Sequence, residues 1–306
     1  MVAIKSYKGF DKNLKCRDFQ YEIGKEYEMD GEIKVCNRGF HACESPFDVF
    51  DHYTMIDSRF CEVEQDGNIS KKDRGTKICS SKIKIKAELK LADMINLGVE
   101  WLKEITSPEK IKTSIKDNSS GYGAKIGSSG NDAQIGSSGD GAKIGSSGDG
   151  AKIGSSGNYA KIGSSGNYAK IGSSGNYAQI GSSGYGAKIG SSGDDAQIGS
   201  SGYGAKIGSS GNYAKIGSSG DYAKIGSSGY GAKIDSTGEG CVIMCAGINS
   251  VAKASKGSWI TLSEWSYSDK KQRYIPVCVK TEFVDGEKIK ADTYYKLAGG
   301  VFKEIQ

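Results

Sequence analysis

Residues 154–162 read Gly-Ser-Ser-Gly-Asn-Tyr-Ala-Lys-Ile; the same nine residues follow at 163–171, and 172–180 repeats them with Gln in place of Lys. Composition alone would make this a flexible Gly/Ser tether. The spacing says otherwise. Ile falls at 126, 135, 144, 153, 162, 171, 180, 189, 198, 207, 216, 225, 234 and 243 without one slip of register. A disordered linker has no need of such a period, whereas stacked structural units require it.

Within one unit, Ala160, Ile162 and Ser164 stand two residues apart, which places them on one face of a strand and Tyr159, Lys161 and Gly163 on the other. Gly-Ser-Ser-Gly then supplies turn residues able to take positive φ. One strand and one turn per nonapeptide predicts a β-solenoid, with isoleucines stacked inside at about 4.8 Å per coil. Each buried Ile contributes roughly 1.5–3 kcal/mol, less than the ordering cost of nine residues at about 1–2 kcal/mol each. Ladder hydrogen bonds and neighbouring coils must supply the rest, so no unit is stable alone. Two repeats per coil is the expectation, giving about seven coils and a rod of ~33 Å. Three per coil would give a shorter triangular prism. The variable dipeptides (Asn158-Tyr159, Tyr185-Gly186, Asp194-Asp195) do not choose between them.

Stacked strands expose edges at both ends of a rod, so the flanking segments acquire the task of covering them. The chain divides into an α+β N-terminal domain at 1–117, a solenoid at 118–261 and a small C-terminal β-hairpin cap at 262–306. The fold class is mainly β. In the first segment Phe19–Glu28, Glu32–Cys36, Arg59–Glu64 and Lys77–Leu89 read as strands, the last with Ile83, Ile85, Ala87 and Leu89 on one face. Ser45-Pro46-Phe47-Asp48 reads as a helix start running to about Tyr53. Leu91–Ile105 carries apolar residues at helical spacing, and Ser107-Pro108-Glu109 opens another short helix. Asp235–Ile243 keeps the frame with altered residues, and Met244–Ala252 continues it. Strands at Ser258–Leu262 and Tyr274–Thr281 and a hairpin of Thr293–Leu297 with Val301–Glu304 complete the cap.

The 306 residues carry a net charge of +5, which allows an anionic partner without demanding one. Eight Cys without a C-x-x-C pair, and only two His, argue against a zinc module. The N-terminus lacks an apolar signal-peptide core, and the longest apolar run, Val242–Ile248, is too short to span a bilayer. Free thiols in a cytoplasm, with no membrane role, is the economical expectation; a virion component would look the same, and an oligomer is compatible with the sequence.

The outward residues form the candidate interaction surface: Lys152, Tyr159, Lys161, Tyr168, Lys170, Tyr177, Lys188, Lys206, Tyr213, Lys215, Tyr222 and Lys224. Ammonium groups about 5 Å apart repel by ~0.8 kcal/mol in water. Cationic rows beside aromatic rings can hold a nucleic-acid strand or another polyanion. Asp132, Asp140, Asp149, Asp194, Asp195 and Asp221 offset more than half of that charge, which favours a solvated, aggregation-resistant face. Calcium rolls of the same period need an acid in each turn, and ice-binding arrays need Thr; neither pattern is present. His41 and Cys43 in Gly39-Phe40-His41-Ala42-Cys43 are the one local pairing that resembles catalysis, yet no orienting third group accompanies them. No phosphate loop or nucleophile elbow is visible, so neither enzyme activity nor a cofactor or metal is expected.

Tyr7–Asp11, Phe19–Tyr27 and Gly39–Glu44 resemble the N-terminal domain of an uncharacterised family frequent in bacteriophages and prophages. Some members join this domain to Gly/Ala/Ser-rich nonapeptide repeats and end in a segment similar to 285–295. The resemblance implies a phage-linked protein and transfers no activity. The expectation that follows is a non-enzymatic solenoid presenting a regular surface to a host or phage protein, as an inhibitor or decoy of a host defence component. A virion-associated structural protein, an enzyme with a pocket at His41 and a polyanion binder are the alternatives.

Overall fold

A computed structural model describes residues 3–71, 75–106 and 121–305. They form two compact units, Met1–Trp101 and Leu102–Gln306.

In the second unit each nonapeptide supplies one four-residue strand. Its partners lie 18 residues away: Lys161 pairs with Lys143 on one side and Gln179 on the other. Two repeats therefore complete a coil. Alternate strands build two parallel sheets, one containing Lys143–Ser146, Lys161–Ser164 and their successors, the other Lys152–Ser155, Lys170–Ser173 and theirs. The stack reaches about eight turns, because Val242–Cys245, Val251–Ala254 and the start of Trp259–Ser268 continue the parallel pairing past the last regular repeat. The final coil is one residue short, since Val242 pairs with Trp259.

The inward column behaves as its period requires. Ile144, Ile162, Ile198, Ile216 and Ile234 are fully buried, and so are the alanines two residues before each isoleucine from Ala142 to Ala232. The serines after them also point inward, and from Ser137 to Ser236 their hydroxyls find no hydrogen-bond partner. An unpartnered buried hydroxyl costs roughly 1–3 kcal/mol. In the terminal coils the same column holds Cys245, Ala254 and Leu262, which remove that cost.

The corners correct the expected turn chemistry. Positive φ falls on the second residue of the variable dipeptide, whether Gly (Gly186, φ 63°), Tyr (Tyr159, φ 57°) or Asp (Asp195, φ 55°), and not on Gly-Ser-Ser-Gly. The last glycine of that tetrapeptide is needed for a different reason. A Cβ on Gly184 would lie 2.0 Å from the carbonyl oxygen of Gly166 in the preceding coil, and the same collision recurs along the corner. The corner approach of successive coils is closer than any side chain allows.

Within this unit the segment around Thr106 packs on the outward face of the first coils, and the C-terminal strands extend both sheets. The last turn of the helix α1 (Leu91–Ile105) and Thr106 sit on the first coils, so a Cβ on Gly127 would meet the Thr106 carbonyl at 2.0 Å. At the other end Trp259–Ser268 pairs antiparallel with Arg273–Phe283, and Tyr294–Ala298 with Val301–Ile305. The Glu264 carboxylate accepts N–H groups of Gly299 and Gly300 at 2.8 Å, pinning that last turn. The division at 261/262 falls inside a strand that serves both the coil and the hairpin; the division at 117/118 and the helix at Ser107 lie outside the described residues.

In the first unit the sheet runs Glu26–Glu28, Lys77–Leu89, Phe40–Cys43, Ile4–Phe10, Arg59–Lys71, and Lys77–Leu89 also pairs with Arg59–Lys71, closing it on itself. Lys77–Leu89 and α1 occupy the predicted ranges, while the Arg59 strand runs on to Lys71. Three expectations fail. Phe19–Glu28 is two short strands, Phe19–Gln20 and Glu26–Glu28, separated by a turn at Gly24 (φ 84°). Glu32–Cys36 is a loop held by one Lys34–Arg38 bridge, with Cys36 at φ 66°. The segment after Pro46 winds as a single 3₁₀ stretch, Phe47–Asp51. The Lys77–Leu89 alternation also breaks beyond Ile85, where a bulge opposite Glu62 and Val63 leaves Ala87 exposed.

Gly184→Ala is expected to destabilise the solenoid by roughly 1–3 kcal/mol through overpacking, because its Cβ meets backbone. Ser200→Ala, which deletes an unpartnered buried hydroxyl, should leave stability unchanged or raise it. Urea denaturation followed by circular dichroism reads both.

Candidate functional site

The period of 18 splits the expected surface in two. Lys161 and Lys215 lie on one sheet, with Gln179 and Gln197 between them; Lys152, Lys170, Lys188, Lys206 and Lys224 lie on the other. The first face is shielded: Gln179 is buried, Lys161 and Lys215 are half-buried, and the outward glycines Gly163, Gly181, Gly199 and Gly217 are buried. The second face is open. Its five lysines are exposed and none makes an ion pair among the described residues.

Beside the open lysines runs a column of glycines, Gly136, Gly154, Gly172, Gly190, Gly208 and Gly226. None has positive φ, and a Cβ at any of them would meet nothing within 4 Å. Lysines and glycines together shape a shallow trough of about 810 Å³ along the sheet. Toward the C-terminal end the same columns turn apolar: Lys224 is followed by Val242 and Trp259, and Gly226 by Met244. Val242, Met244, Trp259 and the neighbouring Phe283 are all exposed, with the Trp259 and Phe283 rings 5.0 Å apart.

The tyrosines stand at the corners, not on the strand faces. Tyr168 and Tyr222 flank Tyr185 and Tyr203 in one continuous aromatic file, with centroids 5.1–5.4 Å apart. Tyr159 and Tyr177 stack at the opposite corner at 5.0 Å, and Tyr213 packs on Tyr230 there. Sequence reasoning left out Tyr185, Tyr203 and Tyr230 because they occupy the first dipeptide position; the adjoining Gly, which takes the left-handed conformation in their place, was the signal. The acids also have a backbone task. Asp140, Asp149, Asp194 and Asp221 accept the N–H of the residue 18 further on, at 2.7–2.8 Å. Asn158, Asn167, Asn176 and Asn212 do the same.

The first unit contains a cavity of about 580 Å³ lined by both His41 and Cys43. The two do not act as a pair. His41 Nε2 accepts the backbone N–H of Cys36 at 2.9 Å, which ties the ring to the loop. Burial, reinforced by the charges of Lys77 and Lys8, pushes the His41 imidazole down to about 4. The ring is thus neutral near pH 7, with its Nε2 lone pair occupied by the loop amide. The polar centre of the cavity lies instead at Lys8 and Cys16: Lys8 Nζ donates to the His41 carbonyl at 3.0 Å, and the Tyr53 hydroxyl donates to Cys16 Sγ at 2.9 Å. Gly9 admits the Tyr53 ring, which a Cβ there would strike. Nothing in the spacing of Lys8, Cys16 and Tyr53 announces this meeting, since they come from Ile4–Phe10, the separate Lys15–Cys16 strand and the segment after Phe47–Asp51.

These features define a β-solenoid protein with an N-terminal α+β unit. Residues 4–97 match a domain of unknown function, DUF7666. No curated protein and no solved structure gives a significant match. No helix among the described residues is long and apolar enough to cross a membrane.

Because the depressed folded-state affinity of His41 means that the unfolded chain takes up its proton first, His41 favours folding above about pH 6.5 and loses that contribution as pH falls toward about 4. ¹⁵N NMR titration should show a neutral imidazole at pH 5.5; a protonated ring at that pH would contradict the buried, amide-bound geometry.

Proposed function

We propose that the chain is a non-enzymatic binding protein that holds an acidic protein partner along the open sheet of its solenoid. The observation that carries this is the glycine column from Gly136 to Gly226, which has room for side chains and no positive φ. Glycine weakens a strand, and an outward glycine that the fold does not need fits the close approach of a foreign chain. The unpaired lysines beside it supply charge for carboxylates, and Val242, Met244 and Trp259 supply the apolar anchor that protein interfaces favour. The polyanion alternative is less favoured by the tyrosines: rings already packed on one another at 5.0–5.5 Å leave no face between them for a nucleotide base.

On the family likeness, the partner belongs to an infected bacterial host, and the protein acts in its cytoplasm as an inhibitor or decoy of a defence component. A virion role is the second reading, and mass spectrometry of purified particles separates the two. The direct test is a pull-down from host lysate with the full chain. Wild type and a Lys161→Gln/Lys215→Gln variant should retain the same partner. A Lys170→Gln/Lys188→Gln/Lys206→Gln variant should weaken retention at least tenfold and lose its salt sensitivity. Gln already occupies this column at Gln134, so the fold tolerates it. Gly190→Leu should fold normally and block retention. Equal loss in both lysine variants, or nothing specific retained by the wild type, would overturn the proposal.

A further inference from the structure

The cavity of the N-terminal unit has a charge imbalance that its own residues do not resolve. Lys8 is 4% exposed. Its ammonium donates to the His41 carbonyl at 3.0 Å and to Cys16 Sγ at 3.5 Å, and it meets no carboxylate among the described residues. Taking an ammonium out of water without a counter-ion costs several kcal/mol. The rings of Phe10 and Tyr21, 5.3 and 5.4 Å from Nζ, offset part of that. Arg17 and Lys77 line the same cavity, and neither makes an ion pair among the described residues. Asp18 is the one carboxylate of the lining.

Much of the rest of the lining is apolar: Phe19, Tyr21, Met29 and Phe40 contribute to it. A volume of about 580 Å³ is that of a small-molecule site, where apolar walls and a few convergent polar groups are the rule. The backbone holds two rim residues in a conformation that side chains disfavour. Arg17 has φ 55° in the two-residue loop between Lys15–Cys16 and Phe19–Gln20, and Cys36 has φ 66°. Such positions usually fall to glycine, and strained residues gather at ligand sites. Arg17 is exposed and adds a guanidinium to the residues of the lining.

We propose that this cavity binds a small organic anion with a flat apolar body, its charged group held by Lys8, Arg17 and Lys77 and its body lying against Phe19, Tyr21 and Phe40. The bound anion supplies the counter-charge that Lys8 lacks. Burial depresses the proton affinity of the free Lys8 amine, and the anion would restore it. The site lies wholly in the N-terminal unit and does not depend on the reading of the solenoid.

The probe is 8-anilinonaphthalene-1-sulfonate, an aromatic sulfonate, titrated by fluorescence into the full folded chain. Saturable one-to-one binding is expected, with the uncharged N-phenyl-1-naphthylamine binding at least tenfold more weakly. Lys8→Met should weaken the sulfonate at least tenfold and leave the uncharged probe unchanged. Should Lys8→Met not fold, as judged by circular dichroism, the rim variants decide: Arg17→Gln and Lys77→Gln each weaken the sulfonate severalfold, and Asp18→Asn strengthens it. Absence of saturable binding, equal affinity for the two probes, or a sulfonate affinity indifferent to Lys8, Arg17 and Asp18 in folded variants would overturn the proposal.

Discussion

The fold rests on how closely one coil can lie on the next. At the corners the carbonyl of one glycine sits where the Cβ of the next coil's glycine would be, as with Gly157 and Gly175. That contact fixes the rise and lets the strands between corners keep uninterrupted parallel ladders, Lys161 N–H to Ala142 C=O at 2.8 Å and Ser165 N–H to Ser146 C=O at 3.0 Å. With the rise fixed, isoleucines stack on isoleucines and the interior stays narrow enough for Ala and Ser to fill it. The asparagine and aspartate side chains reach exactly one coil along because the same spacing brings the next backbone N–H within range. Six residue types thus answer to one distance.

A two-repeat coil has a further consequence. Identical nonapeptides occupy two sheets, so one sequence is tested in two environments. On the shielded sheet the outward glycine is buried, and at Gly145 the Thr106 hydroxyl lies 2.6 Å from the position of a Cβ. On the open sheet the same residue borders space. Lysine divides likewise: Lys233 lies 4.1 Å from the Tyr294 ring centroid, whereas Lys170 and Lys188 face solvent. A face at once cationic, flat and continuous arises only because every second repeat supplies it.

What could be read from the sequence follows the same physics. A period of nine with invariant Ile gives strand, interior and stacking, and Lys77–Leu89 and α1 are legible because their apolar spacing persists over many residues. The number of repeats per coil is illegible within a unit, since pairing between i and i+18 leaves no mark in nine residues. The corner chemistry is misread for a related reason: glycine is required both for positive φ and for close approach, and composition does not tell the two apart. In the N-terminal unit, Glu32–Cys36 carries strand-like residues and yet forms a loop, closed by the Lys34–Arg38 bridge and turned at Cys36 by a positive φ. The Lys8 cavity is hidden from sequence because its residues come from separate strands and loops.

A copied repeat could bring glycine to the open sheet without any use for it there, since the shielded sheet requires it and the unit is shared. The terminal coils show what the position tolerates. In the shielded column Gly217 is followed by Asp235 and Lys253, and in the open column Gly226 is followed by Met244 and Thr261. The position therefore accepts acidic, basic, thioether and hydroxyl side chains without loss of pairing. The dipeptides have also diverged freely from unit to unit, among Asn-Tyr, Tyr-Gly, Asp-Gly and Asp-Asp. Glycine recurs in both columns through the regular repeats, and in the open column, from Gly136 to Gly226, each has room for a larger residue. A bare strip of backbone flanked by unpaired ammonium groups is what an incoming acidic chain would need, and the solenoid keeps it bare for its whole regular length.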